Sequence, residues 1–169
     1  MANIQDAESF ARGKNANIDF CRGVVFRLKS IGIVEENTLC SAILAQTKAS
    51  FDEIYERFGR EIATMTTSIS RDQRLPRQKQ EEQYVKQLQS APWDAILIKL
   101  CEISANLKLL KETEISKTKR SKQLKKELHY LNALKSSINL NKSQTPGVIR
   151  LLDGINENLT HFKQRTIKF

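Results

Sequence analysis

Glycine, proline and aromatic residues are scarce in this 169-residue chain, with 6 Gly, 3 Pro and a 7% aromatic share. So little Gly and Pro excludes collagen-like and low-complexity architectures. A hydrophobic share of 40% excludes disorder, because that much apolar surface suffices for one core. Long apolar runs are missing too. No stretch approaches the ~20 consecutive apolar residues of a membrane-spanning helix, and the segment Met1 to Asp6 has neither a basic start nor an apolar centre. The expectation is an unexported, cytoplasmic chain without membrane contact. Cysteine is limited to Cys21, Cys40 and Cys101, which are far apart and sit within apolar runs. That pattern excludes a disulfide framework and a zinc site and reads as reduced, buried thiols. Strand-like alternation is also absent beyond a few residues.

What remains is helical periodicity almost throughout, so the expected class is all-α, a single domain over residues 1–169 with about eight helices. Ile18, Cys21, Val24, Val25 and Leu28 recur at spacings of one helical face, and Gly32 supplies a stop. Asn37 or Thr38 is placed to cap a helix carrying Leu39, Ala42, Ile43 and Ala45. Ser50 and Glu53 form a capping-box pattern ahead of a short helix that Gly59 ends, and Glu61 to Ser70 continues as the next. Arg77 to Ser90 reads as a polar helix with a narrow stripe of Tyr84, Val85 and Leu88. Pro92 introduces Trp93 to Leu110, the most apolar segment and the expected central helix. Glu112 to Lys119 reads as a polar, mobile loop, followed by a helix from Ser121 to Ile138 with Leu124, Leu128, Leu131 and Leu134 on one face. Asn139 to Gln144 reads as a loop, and Pro146-Gly147 opens a last helix through Val148, Leu151, Leu152, Ile155 and Leu159. Trp93, Phe26, Phe51 and Phe58 are expected in the core.

The charge is lopsided. The chain carries a net +9, and between Lys108 and Lys142 ten cations face three carboxylates, leaving +7 in that stretch. Lys117, Lys119, Arg120, Lys122, Lys125 and Lys126 form the densest patch. An anionic partner is implied, whether phosphorylated nucleotide, nucleic acid or acidic protein.

Catalytic groups are few. His129 and His161 fall on different helices with no companion at ligand spacing. The six glycines are scattered, so no phosphate-cradling loop is present. The pairs Glu35-Glu36, Asp52-Glu53 and Glu81-Glu82 are adjacent, which on a helix turns them roughly 100° apart and keeps them from converging on one bond.

Four segments together carry a family resemblance: Thr38 to Lys48 (TLCSAILAQTK), Phe51 to Ala63 (FDEIYERFGREIA), Leu75-Pro-Arg77, and Ile98 to Leu107 (IKLCEISANL). In order and spacing the chain resembles the HD-domain phosphohydrolases. It is most similar to the small guanosine tetraphosphate hydrolases and the hydrolase domain of RelA/SpoT proteins. The similarity spans about residues 10–110, and the tail Leu159 to Arg165 is also like the end of the small hydrolases. The resemblance implies an HD-type helical bundle, with residues 111–169 as C-terminal helices.

In that family a His, a His-Asp pair and a later Asp hold a divalent metal that activates water against a pyrophosphate. Here those positions fall on Phe20, on Ala45-Gln46 and on Glu102. The family's water-assisting Glu-Asp pair falls on Ala49-Ser50 or in a shortened loop. One carboxylate beside Phe, Ala and Gln offers no convergent set of hard donors, so no catalytic metal and no cofactor is expected. Phe20 is expected to fill the space of the lost imidazole and ion. By the same resemblance Asn106 matches a nucleotide-contacting Asn, Arg77 a basic position after Leu-Pro, and Arg12 and Lys14 a basic loop facing phosphates.

The expected function is therefore a catalytically inactive pseudo-hydrolase, binding guanosine tetraphosphate or a related phosphorylated nucleotide near Asn106. Two other uses stand beside it. A protein-interaction or scaffold module would act through the basic helix with the old cleft filled, and a nucleic-acid binder would use the same lysines, although neither a helix-turn-helix nor interleaved aromatics are present. Residual pyrophosphohydrolase activity is a further reading. The sequence leaves the oligomeric state open.

Overall fold

The computed structural model describes residues 2–169, and it is all-helical. In chain order the helices are α1 (Ile4–Gly13), α2 (Ile18–Ser30), α3 (Glu36–Leu44), α4 (Phe51–Phe58), α5 (Arg60–Ser68), α6 (Arg77–Gln89), α7 (Trp93–Glu112), α8 (Lys117–Asn141) and α9 (Val148–His161), with one 3-10 turn at Lys142–Gln144. Among the described residues no helix is long and apolar enough to cross a membrane.

Helix α7 is the axis of the molecule. Residues such as Leu97, Ile98, Leu100, Ile103 and Leu107 are fully buried, because α2, α3, α5, α8 and α9 all pack against it. Each such side chain contributes about 1.5–3 kcal/mol of apolar transfer, which is why a helix with little amphipathic character is stable here. Pro92 precedes its first turn, where a missing N–H costs nothing.

Local signals explain most boundaries. The Ser50 hydroxyl accepts from the Glu53 backbone N–H while Glu53 accepts from the Ser50 N–H, which closes the expected capping box at α4. Gly59 turns the chain from α4 into α5 with φ +86°, a conformation that side chains with a Cβ resist. Gly147 serves differently. A Cβ there would lie 2.5 Å from the Ile31 carbonyl oxygen, so the absence of a side chain lets the start of α9 rest directly on the end of α2.

The three thiols are buried and unpaired, as expected. Burial pushes Cys21 and Cys40 up to about 11 and Cys101 higher still.

Several sequence expectations are corrected. Helix α1 was not expected; Asn3 caps it by accepting from the Asp6 N–H at 2.8 Å, and only Ala7 and Ala11 bury, a face too small to register as apolar periodicity. Helix α3 begins at Glu36, ahead of Asn37 and Thr38, with no side-chain cap. The mobile loop shrinks to 113–116, because the Ser116 hydroxyl accepts from Lys119 N and starts α8 at Lys117. With no Gly or Pro to stop it, α8 continues to Asn141 and its helical course ends in the 3-10 turn. On its inner face Leu128 is only half-buried, and Glu127 and Tyr130 take the seam positions. Phe58 is in the core, but Phe26 is 72% exposed and Phe51 stacks on Tyr55 at the surface.

Candidate functional site

Charged residues inside an apolar axis have to find partners, and α7 carries two, Lys99 and Glu102, one turn apart and both buried. Lys99 Nζ lies 3.4 Å from Glu102 Oε2, and it stands over the Tyr130 and Tyr84 rings at 4.6 and 5.1 Å. Gln46 Nε2 donates to Glu102 Oε1 at 2.7 Å. Burial pulls the ammonium toward neutrality, but the Glu102 charge, then Tyr84 and Glu127, outweigh it, so Lys99 is held protonated above its ordinary range. Burial likewise raises Glu102, with Lys99 and Gln46 opposing it.

A second cluster lies beside the first. Glu127 Oε1 accepts from Asn106 Nδ2 at 3.1 Å and from Gln123 Nε2 at 2.7 Å, while Oε2 is buried with no hydrogen-bond partner. Burial raises this carboxyl as well, against the pull of Lys99 and Gln123. Toward the surface, Arg71 donates through Nη2 to the Tyr130 hydroxyl and through Nε to Glu81 at 3.2 Å, and Tyr130 in turn donates to Glu81 at 2.5 Å. Although burial alone would raise Glu81, the Tyr130 hydroxyl and Arg71 hold it below the usual carboxylate range.

These groups enclose a polar cavity of about 230 Å³ whose wall includes Ala45, Gln46, Glu102, Asn106 and Glu127. It shares Lys48, Arg71, Gln73, Asn106, Gln123 and Lys126 with a larger groove of about 1400 Å³ between α6 and α8, so the cavity forms the inner end of the groove. Seven cations line that groove, Lys48, Arg71, Arg77, Lys119, Lys122, Lys125 and Lys126, against one carboxylate, Glu81. Arg71 is paired with Glu81; the other six form no ion pair among the described residues. Burial, then repulsion from Arg71, lowers Lys126 below the ordinary lysine range. Leu109, Leu110 and Ile115 give the groove an apolar wall.

The fold thus joins what the sequence kept apart, since Asn106 and Arg77 line the same groove as Lys119, Lys122, Lys125 and Lys126. Others fall outside it. Lys14 pairs with Glu53 and leans on Phe10, and neither it nor Arg12 lines the groove or the inner cavity. Lys117 and Arg120 belong to α8 but are not among the groove's lining residues. Phe20 is half-buried against the core and does not line the inner cavity. At Glu102 both carboxylate oxygens are engaged, one by Lys99 Nζ and the other by Gln46. Residues the sequence reading missed are Lys48, Arg71, Lys99 and Glu127.

The donors present do not fit a divalent ion at the inner end of the groove. Phe20 and Ala45 have no ligating atoms, Gln46 points an N–H at Glu102, and Glu102 is already committed to an ammonium. Among the described residues no group of three or more His, Cys, Asp or Glu could hold a metal.

No protein-family model and no curated protein sequence matches the chain. Solved structures do. A metazoan ortholog of SpoT, described as hydrolysing ppGpp and acting in starvation responses, aligns with a TM-score of 0.77 at 18% identity over 95% of this chain and 96% of that one. The Listeria monocytogenes EGD-e protein lmo0812 aligns with a TM-score of 0.62 at 17% identity over 86% and 94%. The chain thus shares the all-helical fold of these two structures.

Proposed function

We propose that this chain is a pseudo-hydrolase, an HD-type bundle that binds guanosine tetraphosphate or a closely related phosphorylated guanine nucleotide without cleaving it. The observation that carries the reading is the groove, where seven cations face one carboxylate directly outside Ala45, Gln46 and Glu102. Six cations left without counter-ions repel one another, and a ligand bearing several phosphate charges relieves that repulsion. Each charge-assisted hydrogen bond to a phosphate oxygen contributes about 1.5–3 kcal/mol. The open cavity beside Ala45 and Glu102 also speaks against a filled cleft and so against a purely scaffolding role.

Cleavage of a pyrophosphate needs an activated water and stabilisation of the developing charge. On the inner wall Lys99 is a protonated donor, not a base, and Glu102 is engaged by Lys99 and Gln46. Groups suited to binding anions line the groove, and the two ionisable groups that α7 contributes to its inner wall, Lys99 and Glu102, are engaged with each other.

Calorimetric titration of guanosine tetraphosphate, once with EDTA and once with Mn²⁺, tests this. Saturable heat of the same size in both buffers is the expected result. Continuing heat of turnover with Mn²⁺ overturns the pseudo-hydrolase reading, and absence of heat in both overturns nucleotide binding.

A further inference from the structure

We propose that Arg71 is the one fixed anion-binding donor of this site and that Tyr130 is its positioning residue: the Tyr130 hydroxyl, together with Glu81, holds the guanidinium where the groove meets the inner cavity and leaves its Nη1 end for an anionic oxygen of the ligand. This inference rests on the nucleotide-binding reading, which counted Arg71 only as one charge among seven.

The starting point is how firmly this cation is held. The Ile69 carbonyl accepts from the Tyr84 hydroxyl at 3.2 Å and the Ser70 carbonyl from Gln87 Nε2 at 2.9 Å, so the backbone entering Arg71 is tied to α6. The side chain, 29% exposed, lies over the Tyr84 ring at 4.6 Å, donates through Nε to Glu81 at 3.2 Å and donates through Nη2 to the Tyr130 hydroxyl. Tyr130 is buried against the core, and its hydroxyl donates to the same carboxylate, which closes a ring of three hydrogen bonds.

Two of the five guanidinium N–H groups are spent in that ring. Nη1 takes no part in it. Among the described residues the buried side-chain polar atoms without a partner are Thr66 Oγ1, Arg120 Nε and Glu127 Oε2, so the two N–H groups on Nη1 are open to solvent. Arg71 lines both the groove and the inner cavity, so that open end is offered to whatever occupies them. Pairing with Glu81 does not by itself explain the arrangement, because that carboxylate is 45% exposed and water would serve it nearly as well. The other six cations of the groove are exposed and without an ion pair, and each gives up the rotamer freedom of a long side chain when it closes on a ligand. Arg71 has given up that freedom already, and its planar fork points one way.

The test measures the affinity for guanosine tetraphosphate by calorimetry on the wild type, Arg71→Lys, Tyr130→Phe and the double variant. Arg71→Lys keeps the charge but loses the fork, and it is expected to weaken binding about tenfold. Tyr130→Phe removes no charge, yet it is expected to weaken binding about threefold in the wild type and to cost nothing more in the Arg71→Lys background. That non-additivity separates positioning from a merely structural role, which would cost the same in both backgrounds. Wild-type affinity in a folded Arg71→Lys overturns the inference and leaves nucleotide binding intact, as do equal losses, or none, from Tyr130→Phe in the two backgrounds. Failure of the wild type to bind overturns the reading beneath it. A measurement on the wild type alone decides the matter where a variant does not fold. On adding the ligand, the side-chain NMR signals of Arg71 are expected to shift and its Nη protons to exchange more slowly with water, and signals that do not respond overturn the inference.

Discussion

Lys99→Met is expected to lower the unfolding free energy by about 3–5 kcal/mol, because it strips a buried carboxylate of its counter-ion and leaves Glu102 with only the Gln46 amide. In a chain of this length that is a fall in Tm of about 10 °C, read by circular dichroism. The pH dependence identifies the cause. Burial already raises Glu102 in the native protein, and removing the ammonium raises it further above its unfolded value. A folded-state pKa above the unfolded one costs nothing while the carboxyl is protonated in both states. The deficit of the variant should thus be small below the wild-type folded-state pKa of Glu102, where the carboxyl is protonated in both proteins, grow as pH rises past it, and be complete above the higher folded-state pKa of the variant. The double variant Lys99→Met, Glu102→Gln should recover most of the loss, since both charges are then gone. A Lys99→Met protein with unchanged stability at pH 7, or a deficit that does not vary with pH, contradicts the buried ion pair.

The second large effect concerns binding. Replacing Lys119, Lys122 and Lys126 together by Gln is expected to weaken guanosine tetraphosphate about 100-fold, taking roughly 1 kcal/mol for each cation with partial solvent screening. The salt dependence should flatten at the same time, because fewer charges are neutralised on binding. The fold itself should keep its Tm or gain slightly, since the three lysines have no ion-pair partner to lose and like charges are being removed. Unchanged affinity in the triple variant would place the phosphates elsewhere. Competition by an acidic protein or a nucleic acid for the same lysines would move the function to that partner class.

The class of fold was legible because burial imposes a period that composition alone does not. Trp93 to Leu110, the Ser50 capping box, the Gly59 break and the Pro146-Gly147 start each correspond to an observed boundary or element. Helix α1 was not legible, since Ala7 and Ala11 pack by being small, and smallness leaves no hydrophobic pattern. The onset of α8 was misread because Lys117, Lys119 and Arg120 suggested a solvated loop, although polarity and helicity are compatible when a Ser caps the first turn.

The site was half legible. Asn106, Arg77 and the α8 lysines were identified, but their meeting in one groove depends on how α6, α7 and α8 lie together, and no local pattern encodes that. Lys99 and Glu102 did carry a signal: opposite charges three residues apart inside the most apolar segment have only each other within reach. Glu127 carried one too, as the carboxylate placed three residues after Leu124 and four before Leu131, on the stripe that otherwise holds leucine.

The three cysteines have a practical meaning beyond packing. Their sulfurs are shielded and their protons tightly held, so a thiol reagent meets a reactive thiolate only when the bundle opens. Cys101 sits at the middle of the axial helix, Cys40 within α3 and Cys21 on α2, which makes the chain its own stopwatch. The rate at which each sulfur is alkylated in native buffer reports how often that layer comes apart, and coincident rates at the three would mean that the layers part as one.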